Sequence, residues 1–205
     1  MKGSIIIVLF FVTGMALGVN RFLPPFLTGT DPGLYALYFL MFLVGTGIGA
    51  DRNVWRILAD LNVKILLVPV VIILGTLGGS ALSSVILPQT ATADCLAVGS
   101  GFGYYSLSSI IISQIRNETL GVTALLSNIS REIFTLITAP ILVKFFGKLA
   151  PVASGGATSM DTTLPVISRY SGREYAVLAV FSGIVLTVLV PFIITAIYKI
   201  ASLFS

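Results

Sequence analysis

The residues best able to do chemistry in this chain are a few polar ones set among long apolar runs. The string SGGATSMDTTLP, residues 154–165, holds Asp161 near the middle of a stretch with no other charge between Lys148 and Arg169. The Gly155-Gly156 pair, the hydroxyls of Thr158 and Ser159, and Pro165 argue for two half-helices or a re-entrant loop. Such breaks free backbone amides and carbonyls to hold an ion or a zwitterion. The plainer alternative is a solvated aspartate in an extramembrane loop. A second string, GSGFGYYSLSS, sets Gly99, Gly101 and Gly103 beside Tyr104, Tyr105 and Ser106. It makes a poor continuous helix and reads as an unwound stretch able to line a cavity. A third group, Asn128, Arg131, Glu132 and Thr135, is spaced i, i+3, i+4 and i+7 and so shares one helix face. A polar stripe inside a span must face protein or water. It serves either a substrate or gating role or an internal salt-bridge network that locks helices together. Asp94 and Asp51 are weaker candidates, since each reads as a boundary carboxylate, with Asp94 capping or opening the helix that follows.

The elements that must position these groups follow from composition. Of 205 residues, 56% are hydrophobic and 10% charged, against about 25% charged in a soluble domain. So much apolar surface needs lipid. The apolar runs 4–20, 33–50, 65–93, 95–115, 119–143 (interrupted by Arg131 and Glu132) and 175–198 approach the roughly 20 residues that a helix needs to cross hydrocarbon. They do not alternate as barrel strands would. The expected fold is all-α, a single polytopic membrane domain over residues 1–205, with about six transmembrane helices plus a broken or re-entrant segment at 150–168. Discontinuous helices are expected there and at 94–115. The pairs Gly14/Gly18, Gly45/Gly49 and Gly75/Gly79 fit close helix packing. The first run ends in Asn-Arg without a cleavage site and reads as a span, not a signal peptide. Arg52, Arg56 and Lys64 gather between the second and third runs, which favours a cytoplasmic N-terminus and puts Arg116 on the same side. One cysteine and no histidine exclude a disulfide framework, a Cys/His zinc site and any histidine base. The twelve Lys and Arg are scattered between apolar runs, so nucleic acid is not an expected partner.

The strings SGFGYYSLSS, LLSNISRE and GATSMDTTLPVI, in that order and spacing, resemble the lysine exporter family, from about Phe42 to the end of the chain. The resemblance implies export of L-lysine and its toxic analogue thialysine across the bacterial inner membrane. It also implies dependence on the intramembrane carboxylate that corresponds to Asp161. Longer members carry roughly three further N-terminal helices and a second acidic residue there, so this chain resembles their C-terminal portion. A homo-oligomer or a small partner membrane subunit is the corresponding expectation.

These readings combine into proton-coupled antiport, in which Asp161 binds the lysine ammonium or carries the proton. Burial in hydrocarbon favours the neutral form of a carboxyl group, so one group can serve both by competition. The lysine carboxylate needs a positive partner. Half-helix N-termini beside 99–103 or 155–156 offer one, and Arg131 is the side-chain alternative. A channel or scaffold subunit is the alternative class. No cofactor is expected.

Overall fold

The computed structural model describes residues 63–203 and isolated helical positions before them. Asp51, the first two apolar runs and their glycine pairs lie outside the described residues. Contacts divide the chain into two units, 1–40 and 41–205, and everything below concerns the second. Its described helices are α1 (Val63–Ile86), α2 (Thr92–Gly99), α3 (Tyr105–Ile115), α4 (Glu118–Phe146), α5 (Ala150–Gly155), α6 (Leu164–Ser171) and α7 (Arg173–Ala201), with a 3₁₀ turn at Gly156–Met160. No strand occurs among the described residues.

Two of these helices, α1 from Ile65 and α7, are long and apolar enough to cross a bilayer. With 29 residues, α4 matches α7 in length but carries Arg131 and Glu132 in its middle. Large apolar side chains stand exposed on all three, among them Leu74 at 65%, Ile137 at 69% and Phe192 at 63%. Apolar surface of that extent fits a lipid environment. A count of six spans goes beyond what these described helices establish.

The run 95–115, laid out above as a span, does not cross. It is two short helices separated by the turn at 100–104, and its ends are tied together. Arg116 Nε and Nη2 donate to the two carboxylate oxygens of Asp94 at 2.9 and 3.1 Å. The segment therefore returns to the end it left, and Arg116 lies at the end of Asp94 rather than across from it. The physical reason is the turn itself. Gly99, Gly101 and Gly103 weaken a helix there, and Phe102 and Gly103 take left-handed φ values of 47° and 95°, which reverse the chain.

A second hairpin enters from the other end. The Arg116 guanidinium also lies 5.6 Å from the ring of Tyr198, near the end of α7, while Lys148 lies 5.8 Å from the ring of Tyr175, near its start. The 29 residues of α4 separate Arg116 from Lys148, about 43 Å of helix. Segment 148–175 thus leaves and returns at the opposite end, going in along α5 and coming out along α6. Pro151 and Pro165 occupy the first turns of these two helices, where a missing N–H costs nothing. Val152, Ile167 and Ala179 form a fully buried cluster, with Val68 and Leu164 against it, that fixes this hairpin on α7 and α1.

The two hairpins meet tip to tip. Ala157 N–H donates to the carbonyl of Phe102 at 2.7 Å. A Cβ on Gly156, whose φ is +61°, would strike that same carbonyl, and one on Gly103 would lie 2.9 Å from the carbonyl oxygen of Gly155. A Cβ on Gly75 or Gly79 would meet nothing within 4 Å among the described residues. The close approach of α1 to α2 is made instead by Ser80 against Gly99.

Candidate functional site

Beside the crossing lies a cavity of about 170 Å³ lined by Gly103, Tyr104, Tyr105, Ser106, Ala157, Thr158, Met160, Asp161, Thr162 and Thr187. Asp161 follows the 3₁₀ turn, where its Oδ1 accepts from the N–H and the hydroxyl of Thr162 at 2.6 and 3.0 Å. Its side chain is exposed to the cavity. No lysine or arginine pairs with it among the described residues. Across the cavity is the start of α3, whose N-cap Tyr104 gives no side-chain cap. The N–H of Tyr105 donates to Gly103 O at 3.0 Å, and the first turn of that helix carries the positive end of its dipole. One wall thus offers a carboxylate and the other a helix N-terminus, so the cavity suits a molecule bearing both charges.

The polar stripe of α4 holds the two tips. Buried Asn128 accepts from Gly103 N–H at 2.7 Å and donates through Nδ2 to the carbonyls of Ala124 and Val98, at 2.9 and 3.2 Å. Arg131 reaches the other hairpin. Its Nε donates to Ser154 O at 2.8 Å, and its Nη2 donates to Ala153 O at 2.9 Å and to the Thr76 hydroxyl at 3.3 Å. These are orphan carbonyls at the C-terminal end of α5, the negative end of a helix, where a guanidinium belongs. Thr135 bonds the Ser154 hydroxyl at 2.6 Å. Arg131 is therefore committed to the hairpin, and its guanidinium does not line the Asp161 cavity. Nor is the stripe a salt-bridge network, since Arg131 has no carboxylate partner among the described residues. Glu132 is half-buried and also takes no part in the crossing.

Other sequence candidates separate in the same way. Thr158 lines the cavity while its hydroxyl donates to Gly155 O. Ser159 is fully buried and donates to Gly156 O and Ala179 O, which ties the tip to α7 away from the cavity. Gly101 packs under Asn128 and Ser108, and Gly155 against Thr163. Asp94 sits in the first turn of α2 as the partner of Arg116, far from Asp161 along the hairpin. Thr187 lies outside every string that sequence reasoning singled out. At the midpoint of α7, it is 2% exposed, lines the Asp161 cavity and has a hydroxyl without a partner among the described residues. Its only sequence signal is a hydroxyl in the middle of an apolar run.

Two broken hairpins that enter a helical bundle from opposite ends and join at their tips are a construction of membrane transporters, which use discontinuous helices to present backbone charge at depth. The family described as Lysine exporter LysO matches residues 8–198, and this chain belongs to that family. It is 33% identical over 184 residues to a protein of Escherichia coli named lysine exporter LysO, covering 89% of this chain and 60% of that one. It is also 33% identical over 163 residues to a relative from Haemophilus influenzae, covering 78% of this chain and 81% of that one. The chain thus spans less than two thirds of the E. coli relative. No solved structure matches it.

Proposed function

We propose that this chain exports L-lysine, and analogues such as thialysine, across the bacterial inner membrane in exchange for protons, with its N-terminus in the cytoplasm. The observation that carries the reading is the cavity in which Asp161 faces the N-terminus of α3. Asp161 attracts an ammonium, and the helix end attracts the α-carboxylate. Family membership supplies the substrate class. When a proton takes the carboxylate, the ammonium loses its partner, which links release of one to binding of the other. Energetics favour this exchange. Moving a net +1 amino acid outward against an inside-negative potential costs about 2.3 kcal/mol per 100 mV, and one incoming proton cancels that charge.

The test is lysine counterflow with the purified chain in liposomes. The native chain is expected to exchange labelled for unlabelled lysine, alone or as a homo-oligomer. Asp161→Asn should be silent while unfolding at the native temperature. Exchange by that variant at the native rate would overturn the reading.

A further inference from the structure

A second and larger cavity, of about 660 Å³, lies between α1, α2 and α4, outside the Asp161 site. α1 contributes Ser80 and Ser83 to it, α2 Asp94, and α4 Thr123 and Ser127, beside Leu87, Val98 and Leu120. A carboxylate and these hydroxyls on one space in so apolar a chain favour water over lipid there. Its outer lining, Thr90 and Asn117, belongs to the connections at the Arg116 end. Its inner lining is Val98, Gly99 and Ser127. Ten residues of α4 separate Asn117 from Ser127, about 15 Å of helix, or roughly half the hydrocarbon thickness.

The cavity ends where the first hairpin turns. Val98 lines this large cavity, and Gly103 lines the Asp161 cavity. Asn128 bonds to both, donating to Val98 O and accepting from Gly103 N–H. One side chain therefore bridges the walls of the two cavities, and the tip it holds is what divides them. At the mouth, Asp94 is paired with Arg116, so the lining carries little net charge and would pass a cation without trapping it.

We infer that the large cavity is a hydrated vestibule that leads a cationic amino acid between the Arg116 end of the protein and the back of the first hairpin tip. The tip pinned by Asn128 is the partition between that vestibule and Asp161. The inference rests on the exporter reading for its substrate and on geometry for its route.

Cysteine accessibility in a Cys95→Ala background tests it. A cysteine thiolate attacks a methanethiosulfonate and displaces its sulfinate, and water is what lets the thiol ionise, so a position facing lipid stays inert. A membrane-impermeant cationic reagent is expected to modify Ser83→Cys and Ser127→Cys about tenfold faster than Leu126→Cys, an exposed apolar position on the same helix as Ser127. The reaction should occur only from the face at which Gln89→Cys reacts. A bulky reagent coupled to Ser127→Cys should slow lysine exchange about tenfold, whereas the same reagent on Leu126→Cys should leave it unchanged. Both positions as inert as Leu126→Cys, or modified from the other face, would overturn the vestibule. Native exchange after Ser127→Cys is fully modified would overturn the route and leave the exporter reading standing. A chain that exchanges no lysine fails the exporter reading instead, and the one-sided labelling pattern then still decides whether the cavity is hydrated.

Discussion

The N–H of Ala157 donates to the carbonyl of Phe102 at 2.7 Å, although 55 residues separate the two in sequence. Each belongs to the tip of a hairpin that enters from a different end of the bundle. The Phe102 side chain is fully buried and its φ is 47°, a left-handed conformation that a bulky residue adopts only when its surroundings impose it. Here the surroundings are the opposing tip and two side chains of α4, and the predictions that follow probe them.

The tip contact has no room for a methyl group on one side. Gly156→Ala would set a Cβ against Phe102 O from a left-handed backbone, so it is expected to cost about 2 kcal/mol or more and to depress lysine exchange. Gly75→Ala, with nothing within 4 Å among the described residues, should raise stability by about 0.5–1 kcal/mol. Thermal unfolding in detergent compares the two. Equal shifts would remove the tip contact from the account.

Asn128→Ala strips the acceptor from the buried N–H of Gly103. An unsatisfied buried donor costs about 1–3 kcal/mol. Hydrogen exchange should report faster opening at Gly103 than at amides in the middle of α7. Unchanged protection at Gly103 would mean that another group holds the tip.

Arg131→Lys retains the charge but loses the fork that spans Ser154 O and Ala153 O. A lysine covers one of these at best, so the variant should lose about 1.5–3 kcal/mol, the value of one charged hydrogen bond. Were lysine export to require Arg131 as the carboxylate partner instead, the Lys variant would keep its stability and lose only its transport.

Thr187→Val removes a hydroxyl that has no partner among the described residues. Deleting an unpaired buried hydroxyl is neutral or stabilising for folding. If that hydroxyl serves a ligand in the Asp161 cavity, the lysine KM rises while the unfolding temperature holds or climbs. A fall in stability with unchanged KM would assign Thr187 to packing alone.

The Asp94–Arg116 pair closes the first hairpin at its exposed end, with side chains 14% and 45% exposed. A double-mutant cycle should give only about 0.2–1 kcal/mol of coupling. The hydrogen bond that Arg116 donates to Asp94, and then the Asp94 charge, raise the Arg116 pKa above its ordinary value. A raised cation loses its contribution only as pH climbs through that value, so no alkaline loss of the pair is expected below about pH 12. Stability that falls between pH 8 and 10 in the native chain but not in Arg116→Gln would contradict this.

Much was determined by sequence alone. An apolar chain with 10% charge must be helical to satisfy its backbone in lipid, and glycine clusters at 99–103 and 155–156 must interrupt those helices, because glycine propensity and missing side chains act locally. The face shared by Asn128, Arg131 and Thr135 is likewise a matter of 3.6-residue geometry. Tertiary structure decided the rest. Local preferences place a break but not the direction of the chain after it, so only the Asp94–Arg116 pair reveals that 95–115 turns back instead of crossing. Periodicity put Arg131 on the right face without naming its partner, which is the carbonyl end of a half-helix more than twenty residues away. Thr187 carries no motif at all and acquires meaning only because the folded chain brings the middle of α7 against the Asp161 cavity. Contacts between residues far apart in sequence are set by how whole helices pack, and packing is a property of the assembled bundle that no local window contains.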